Sequence, residues 1–124
     1  MNVYTIMKKN VLGEKCMSFA VRIIKFYQFL CSEKKEYVLS KQILRSGTSI
    51  GANVRESQNA QSKADFVNKL NIALKEADET QYWLELLKMS DIITEDYFDT
   101  LNQDLSEIIA LLITSIKTAK SKIS

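Results

Sequence analysis

The sequence has no proline, no histidine and only three glycines among 124 residues. Proline and glycine punctuate turns and hairpins, so a many-stranded sheet has little to bend with. Nearly the whole chain is free to be helix. Without histidine, the commonest general base and metal ligand is missing. Cysteine occurs twice, as Cys16 and Cys31. On one continuous helix these two stand roughly 22 Å apart at 1.5 Å per residue, which excludes a disulfide between them. Free thiols fit a reducing compartment. The opening MNVYTIMKKN lacks the charged region and long apolar run of a secretory signal. The longest apolar stretch, Ile108 to Ile113, is far shorter than the roughly 20 residues that cross a bilayer. These absences predict a cytoplasmic chain with no membrane partner.

What is present fits one domain over residues 1–124. Hydrophobic residues make up 46% and charged residues 26%, an ordinary balance for a globular chain able to bury a core without staples. Four apolar stripes at helical spacing predict an all-α, antiparallel up-down-up-down four-helix bundle. The first helix runs from about Gly13 to Lys34, with Phe19, Ile23, Phe26, Phe29 and Leu30 inward and Val21 and Ile24 widening the stripe. The second runs from about Tyr37 to Asn59. The third opens at Ser62, with Asp65 three residues later as a capping-box-like start. It ends near Met89, with Trp83 and Leu84 on its inner side. The fourth starts at Thr94 as N-cap, places Glu95 and Asp96 at the positive end of its dipole, and reaches about Lys120. Residues 1–10 read as a loose N-terminal arm.

The net charge of +2 is unevenly spread. Residues 1–75 hold 13 bases and 5 acids, a balance of +8, and residues 76–110 hold 1 base and 10 acids, a balance of −9. Either a basic binding face or basic helices packed beside acidic ones produces this pattern.

The second helix carries the most specific pattern. Gln42, Ser46, Ser49, Asn53 and Glu56 follow one another at steps of 4, 3, 4 and 3, which places them on one helical face. Beside them run Leu39, Ile43, Ile50 and Val54. A polar face of small side chains next to an apolar one predicts a helix buried on two sides. With the turn centred near Ala60, facing residues of the second and third helices sum to about 121. Arg45 then meets Glu76, with Glu79 one turn away, as a partly buried ion pair. Asn53 falls near Asn68. The network expected is Gln42, Arg45, Ser49, Asn53, Glu56, Glu76 and Glu79, acting either as a register-fixing polar layer or as a small ligand pocket. Gly47 and Gly51 make this helix slim, and the cost of interior glycine points to close packing, with a hinge as the alternative. GTSIG lacks the lysine and strand-turn-helix setting of a phosphate-binding loop.

Two segments, KEYVLSKQILRSGTSIGANVRE (residues 35–56) and SKADFVNKLNIALKEADETQYWLELL (residues 62–87), carry a family resemblance. The chain from about Val11 to Ile93 resembles the four-helix bundle family encoded in intervening sequences of bacterial 23S ribosomal RNA genes. The shared pattern includes Gln42, Arg45, Ser46, Ser49, Ile50, Asn53 and Glu56, then Ala73, Leu74, Ala77, Glu79, Trp83 and Leu84. The resemblance implies a cytoplasmic bacterial protein, a ring-shaped homopentamer, and no established enzyme activity. One related group serves diversity-generating retroelements as a strongly basic pentamer that binds a reverse transcriptase and nucleic acid. The balance of only +2 here departs from that pattern.

Catalysis has few candidates. Glu56, Glu76 and Glu79 form the only carboxylate group with chemical promise, and di-iron bundles need the histidines this chain lacks. The expectation is a chain that is not an enzyme, with no catalytic residues, no metal and no cofactor. For nucleic acid, Lys8, Lys9, Lys15, Arg22 and Lys25 cluster early, and Lys34, Lys35 and Lys41 gather around the first turn with Tyr37 among them. Bases neutralise phosphates, aromatics stack, and several copies of a weak patch act as one strong surface. The candidate nucleic-acid residues are Lys15, Arg22, Lys25, Lys34, Lys35 and Lys41. The expected partners are further copies of the chain and RNA or an RNA-handling protein. The alternative is a protein-interaction scaffold with no nucleic-acid role, whose acidic fourth helix docks a basic partner.

Overall fold

The computed structural model describes residues 10–121. Four helices account for nearly all of them: α1 (Val11–Glu33), α2 (Leu39–Ser57), α3 (Lys63–Met89) and α4 (Glu95–Ser121). No strand occurs among the described residues. The expected arm, residues 1–10, lies outside them except for Asn10, which has a left-handed backbone and accepts a hydrogen bond from the Gln58 side chain.

Each helix packs on two neighbours, in the cyclic order α1, α2, α3, α4 and back to α1. Side-chain contacts give the directions. Along α1 and α2, Cys31 meets Ser40 and Asn10 meets Gln58. Along α1 and α4, Lys15 meets Glu107 and Arg22 meets Asp104. Along α3 and α4, Gln81 meets Asn102, and Lys88 lies over Phe98. In every case one residue number rises as the other falls, so these pairs run antiparallel and the bundle is up-down-up-down.

The connections are short because each helix end is actively stopped or capped. α1 ends where Lys35 takes a left-handed φ of 52°. Glu36 then turns its carboxylate onto the backbone N–H groups of Val38, Leu39 and Ser40. That carboxylate satisfies the orphan donors of the first turn, so α2 begins at Leu39 rather than Tyr37. The Ser62 hydroxyl accepts from the Asp65 N–H at 3.0 Å, and Thr94 does the same for Tyr97 at 3.1 Å. Both N-caps stand where the sequence places them.

The core is the expected apolar stripe, with Leu12, Phe19, Ile23, Phe26, Leu30, Ile43, Ile50, Leu70, Leu84 and Leu105 among its fully buried members. Two expectations change. Val21 and Ile24 face outward, 45% and 43% exposed, because α1 packs only on α2 and α4 and its stripe is narrower than its run of apolar residues. Trp83 is half-buried, packed at the core's edge. No described helix is long and apolar enough to cross a membrane.

Candidate functional site

The seam between α2 and α3 gathers part of the expected polar network. Arg45 leaves α2 and its Nη1 donates to Glu76 Oε2 at 3.1 Å. Its Nη2 donates to Glu79 Oε2. That same oxygen accepts from the Trp83 indole N–H at 3.3 Å, and the Tyr82 ring stands edge-on to the Trp83 ring with centroids 5.1 Å apart. Desolvation, the largest single influence, pulls against the Arg45 charge, but Glu76 and Glu79 together outweigh it and hold the guanidinium above its ordinary pKa. The Arg45 side chain is 49% exposed and that of Glu76 21%, so the pair is partly buried on its acidic side, as expected, while the guanidinium lies at the surface. Water screens such pairs to at most about 1 kcal/mol.

Beneath this pair lies a layer that sequence reading reached only in part. Ser46 and Thr80 are fully buried, with their hydroxyl oxygens 2.9 Å apart. Thr80 Oγ1 also lies 2.7 Å from the Glu76 carbonyl oxygen. One hydroxyl proton serves that carbonyl and the other bridges the helices. Every buried side-chain polar atom among the described residues has a partner. The sum of about 121 that pairs Arg45 with Glu76 sets Ser46 opposite Lys75, so it does not locate Thr80.

The remaining members do not join this network. The Ser49 hydroxyl donates to the Arg45 carbonyl at 2.6 Å, and the Asn53 amide donates to the Ser49 carbonyl at 2.9 Å. Both bonds stay within α2. Gln42 and Glu56 are exposed. A helix drifts about 20° per heptad, so a stripe repeating every seven residues leaves a straight seam before its last member.

The basic candidates divide into two groups. Lys15 is 3.2 Å from Glu107, and Arg22 pairs with Asp104 while also donating to the Thr100 carbonyl. Basic α1 therefore lies against acidic α4, as one of the two charge readings predicts. Lys25, Lys34, Lys35 and Lys41 form no ion pair among the described residues. Lys34 Nζ lies 5.8 Å from the Phe29 ring centroid, and Tyr37, beside Lys35, is 53% exposed. Lys8 and Lys9 lie outside the described residues.

A third feature is a cavity of about 230 Å³ between α1 and α2, lined by Asn10, Gly13, Cys16, Met17, Gly51 and Arg55 among others. Burial pushes the Cys16 thiol up to about 12, so it stays protonated and is no nucleophile. No group of three or more acidic, histidine or cysteine side chains suited to a metal occurs among the described residues.

Fold and seams together define an antiparallel four-helix bundle whose polar chemistry is concentrated between helices. The chain belongs to the 23S rRNA-intervening sequence protein family, which it matches over residues 8–114. It is also similar to a crystal structure of a protein of unknown function from the S23 ribosomal protein family of Bacteroides thetaiotaomicron VPI-5482. The two share 61% identity and superpose with a TM-score of 0.86, over 87% of this chain and 100% of that one. No curated protein matches.

Proposed function

We propose that this chain is a non-enzymatic bundle of the bacterial cytoplasm that self-assembles into a homopentamer and serves as a binding or scaffold module for RNA or an RNA-handling protein. The observation that carries the RNA reading is the charge left over after the bundle has folded. Lys25, Lys34, Lys35 and Lys41 have no acid partner among the described residues, and three of them surround the α1–α2 turn, where Tyr37 is exposed. Unpaired bases beside an exposed aromatic suit a phosphate backbone with accessible bases. A ring repeats the patch in each copy, so modest contacts add up through effective concentration.

The test is charge reversal at the turn. Lys34→Glu, Lys35→Glu and Lys41→Glu together remove RNA binding while leaving helicity unchanged. Lys15→Glu, at a base already committed to Glu107, has a smaller effect. Equal effects from both sets overturn the assignment to the turn.

A second reading has its own observation. Glu95, Asp96 and Asp99 are exposed on α4 and unpaired among the described residues. A scaffold without a nucleic-acid role uses this acidic end to dock a basic protein. It predicts no RNA binding and loss of that partner on Asp96→Lys and Asp99→Lys.

A further inference from the structure

The α1–α2 and α3–α4 turns share one end of the bundle, because the helices alternate in direction. The Phe29 and Tyr97 rings, with centroids 5.0 Å apart, join the two halves of that end. The halves differ in charge. On the α1–α2 side, Lys34, Lys35 and Lys41 are exposed and form no ion pair among the described residues. Glu33 is the one exposed acid beside them, since Glu36 turns its carboxylate onto the N–H groups of Val38, Leu39 and Ser40. On the α3–α4 side, Asp91, Glu95, Asp96 and Asp99 are exposed and likewise without an ion pair. Lys88, the one base between residues 76 and 110, lies over the Phe98 ring, 4.1 Å from its centroid.

Tyr37 stands in the basic half. It is 53% exposed and its neighbour Val38 71%. No other aromatic ring contacts Tyr37 among the described residues, so the ring is open to a stacking partner. The backbone on either side is pinned. Lys35 takes a left-handed φ of 52°, the Glu36 N–H donates to the Leu30 carbonyl at 3.0 Å, and the Val38 N–H donates to the Glu36 carboxylate at 3.3 Å. A ring displayed on an ordered turn gives up little freedom when a ligand settles on it. Consecutive Cα atoms are about 3.8 Å apart, so the backbones of Lys34 and Lys35 lie within about 11 Å and 8 Å of Tyr37.

We infer that this end takes single-stranded RNA and rejects duplex, with Tyr37 stacking on an unpaired nucleobase and the acids of the α3–α4 turn repelling a second strand. The inference rests on the RNA reading and names the form of RNA. Two observations select the single strand. The open Tyr37 ring needs a nucleobase face, and a duplex stacks its own along its length whereas a single strand can splay them out. The acids provide the second argument. Neighbouring helices stand about 8–10 Å apart, so the α3–α4 acids begin one helix spacing from the lysines. A duplex with one strand along Lys34 and Lys35 sets the phosphates across its wide minor groove over Asp91, Asp96 and Asp99. A single strand follows the lysines and stays clear of the acids.

The experiment compares a short fluorescent oligouridine with an RNA duplex of the same length, by anisotropy over a series of salt concentrations. The full chain binds oligouridine about tenfold more tightly than duplex at low salt. Tyr37→Ala lowers the oligouridine affinity by about tenfold, the order of one lost base stack, and leaves its salt dependence unchanged. Tyr37→Phe keeps the wild-type affinity. Lys35→Ala flattens the salt dependence instead, because a phosphate contact is lost. Asp96→Lys with Asp99→Lys raises duplex affinity. All these positions are exposed, and helicity recorded for each variant checks that folding is retained. If Tyr37→Ala binds oligouridine as the wild type does, or duplex binds as tightly as oligouridine, the inference is wrong while the RNA reading stands. Duplex affinity unmoved by the acid reversal overturns the repulsion. If neither RNA binds at low salt, the RNA reading itself fails.

Discussion

Asp91 stands where glycine is the usual choice. Its φ is 59°, and the N–H groups of Asp91 and Ile92 bond back to the carbonyls of Lys88 and Leu87, the Schellman arrangement that closes α3. A side chain at left-handed φ is strained, and a carboxylate opposes the negative end of the helix dipole. Asp91→Gly is expected to stabilise the protein by about 0.5–1 kcal/mol, read from urea unfolding. Gly47 is the opposite case. A Cβ there would lie 2.9 Å from two carbons of buried Ile23. Overpacking costs about 1–3 kcal/mol, more than the roughly 1 kcal/mol of helix propensity alanine gains. Gly47→Ala is therefore expected to destabilise, and a stabilised variant would show that the helices separate easily. Cys16 makes a pH prediction. Its folded pKa of about 12 exceeds the ordinary 9.0, so below pH 9 both states keep the proton and nothing is lost. Above it the unfolded chain ionises first, and stability falls as pH rises toward 12. Tyr27, raised by its hydrogen bond to Cys31, and Tyr97, raised by desolvation against the pull of Arg22, act in the same direction. At neutral pH a thiol reagent should label Cys31 and spare Cys16 until the chain unfolds.

The helices themselves were largely legible, because each carries both an apolar period and an end signal. Ser62 and Thr94 cap as their residue types require. The apolar pattern predicts a start of α2 near Tyr37, two residues before the observed Leu39, because the cap comes from Glu36, outside the N-cap position. The α2–α3 register was legible from a single sum, which paired Arg45 with Glu76 correctly. Depth was not legible. Arg45 and Trp83 lie nearer the surface than their motif suggests, since sequence spacing fixes which face a residue shares and not how far the neighbouring helix covers it. Arg45→Ala is accordingly expected to cost about 1 kcal/mol or less, and Trp83→Ala about 2 kcal/mol, below the 3–5 typical of a fully buried ring. A loss above about 3 kcal/mol for Trp83→Ala would place the ring deeper in the core.

Across the whole bundle, the uneven charge of the sequence resolves into pairing and remainder. Lys15 and Arg22 are answered by Glu107 and Asp104, contacts that span most of the chain. Lys25, Lys34, Lys35 and Lys41 are not answered. The candidate site is therefore smaller and more local than composition suggested. The most direct measurement is the affinity of the purified protein for bacterial RNA at low and moderate salt, with native mass determined in the same samples. The account predicts an oligomer whose binding weakens steeply as salt rises, because phosphate contacts release counterions. A well-formed oligomer that binds no RNA at low salt would contradict the nucleic-acid role.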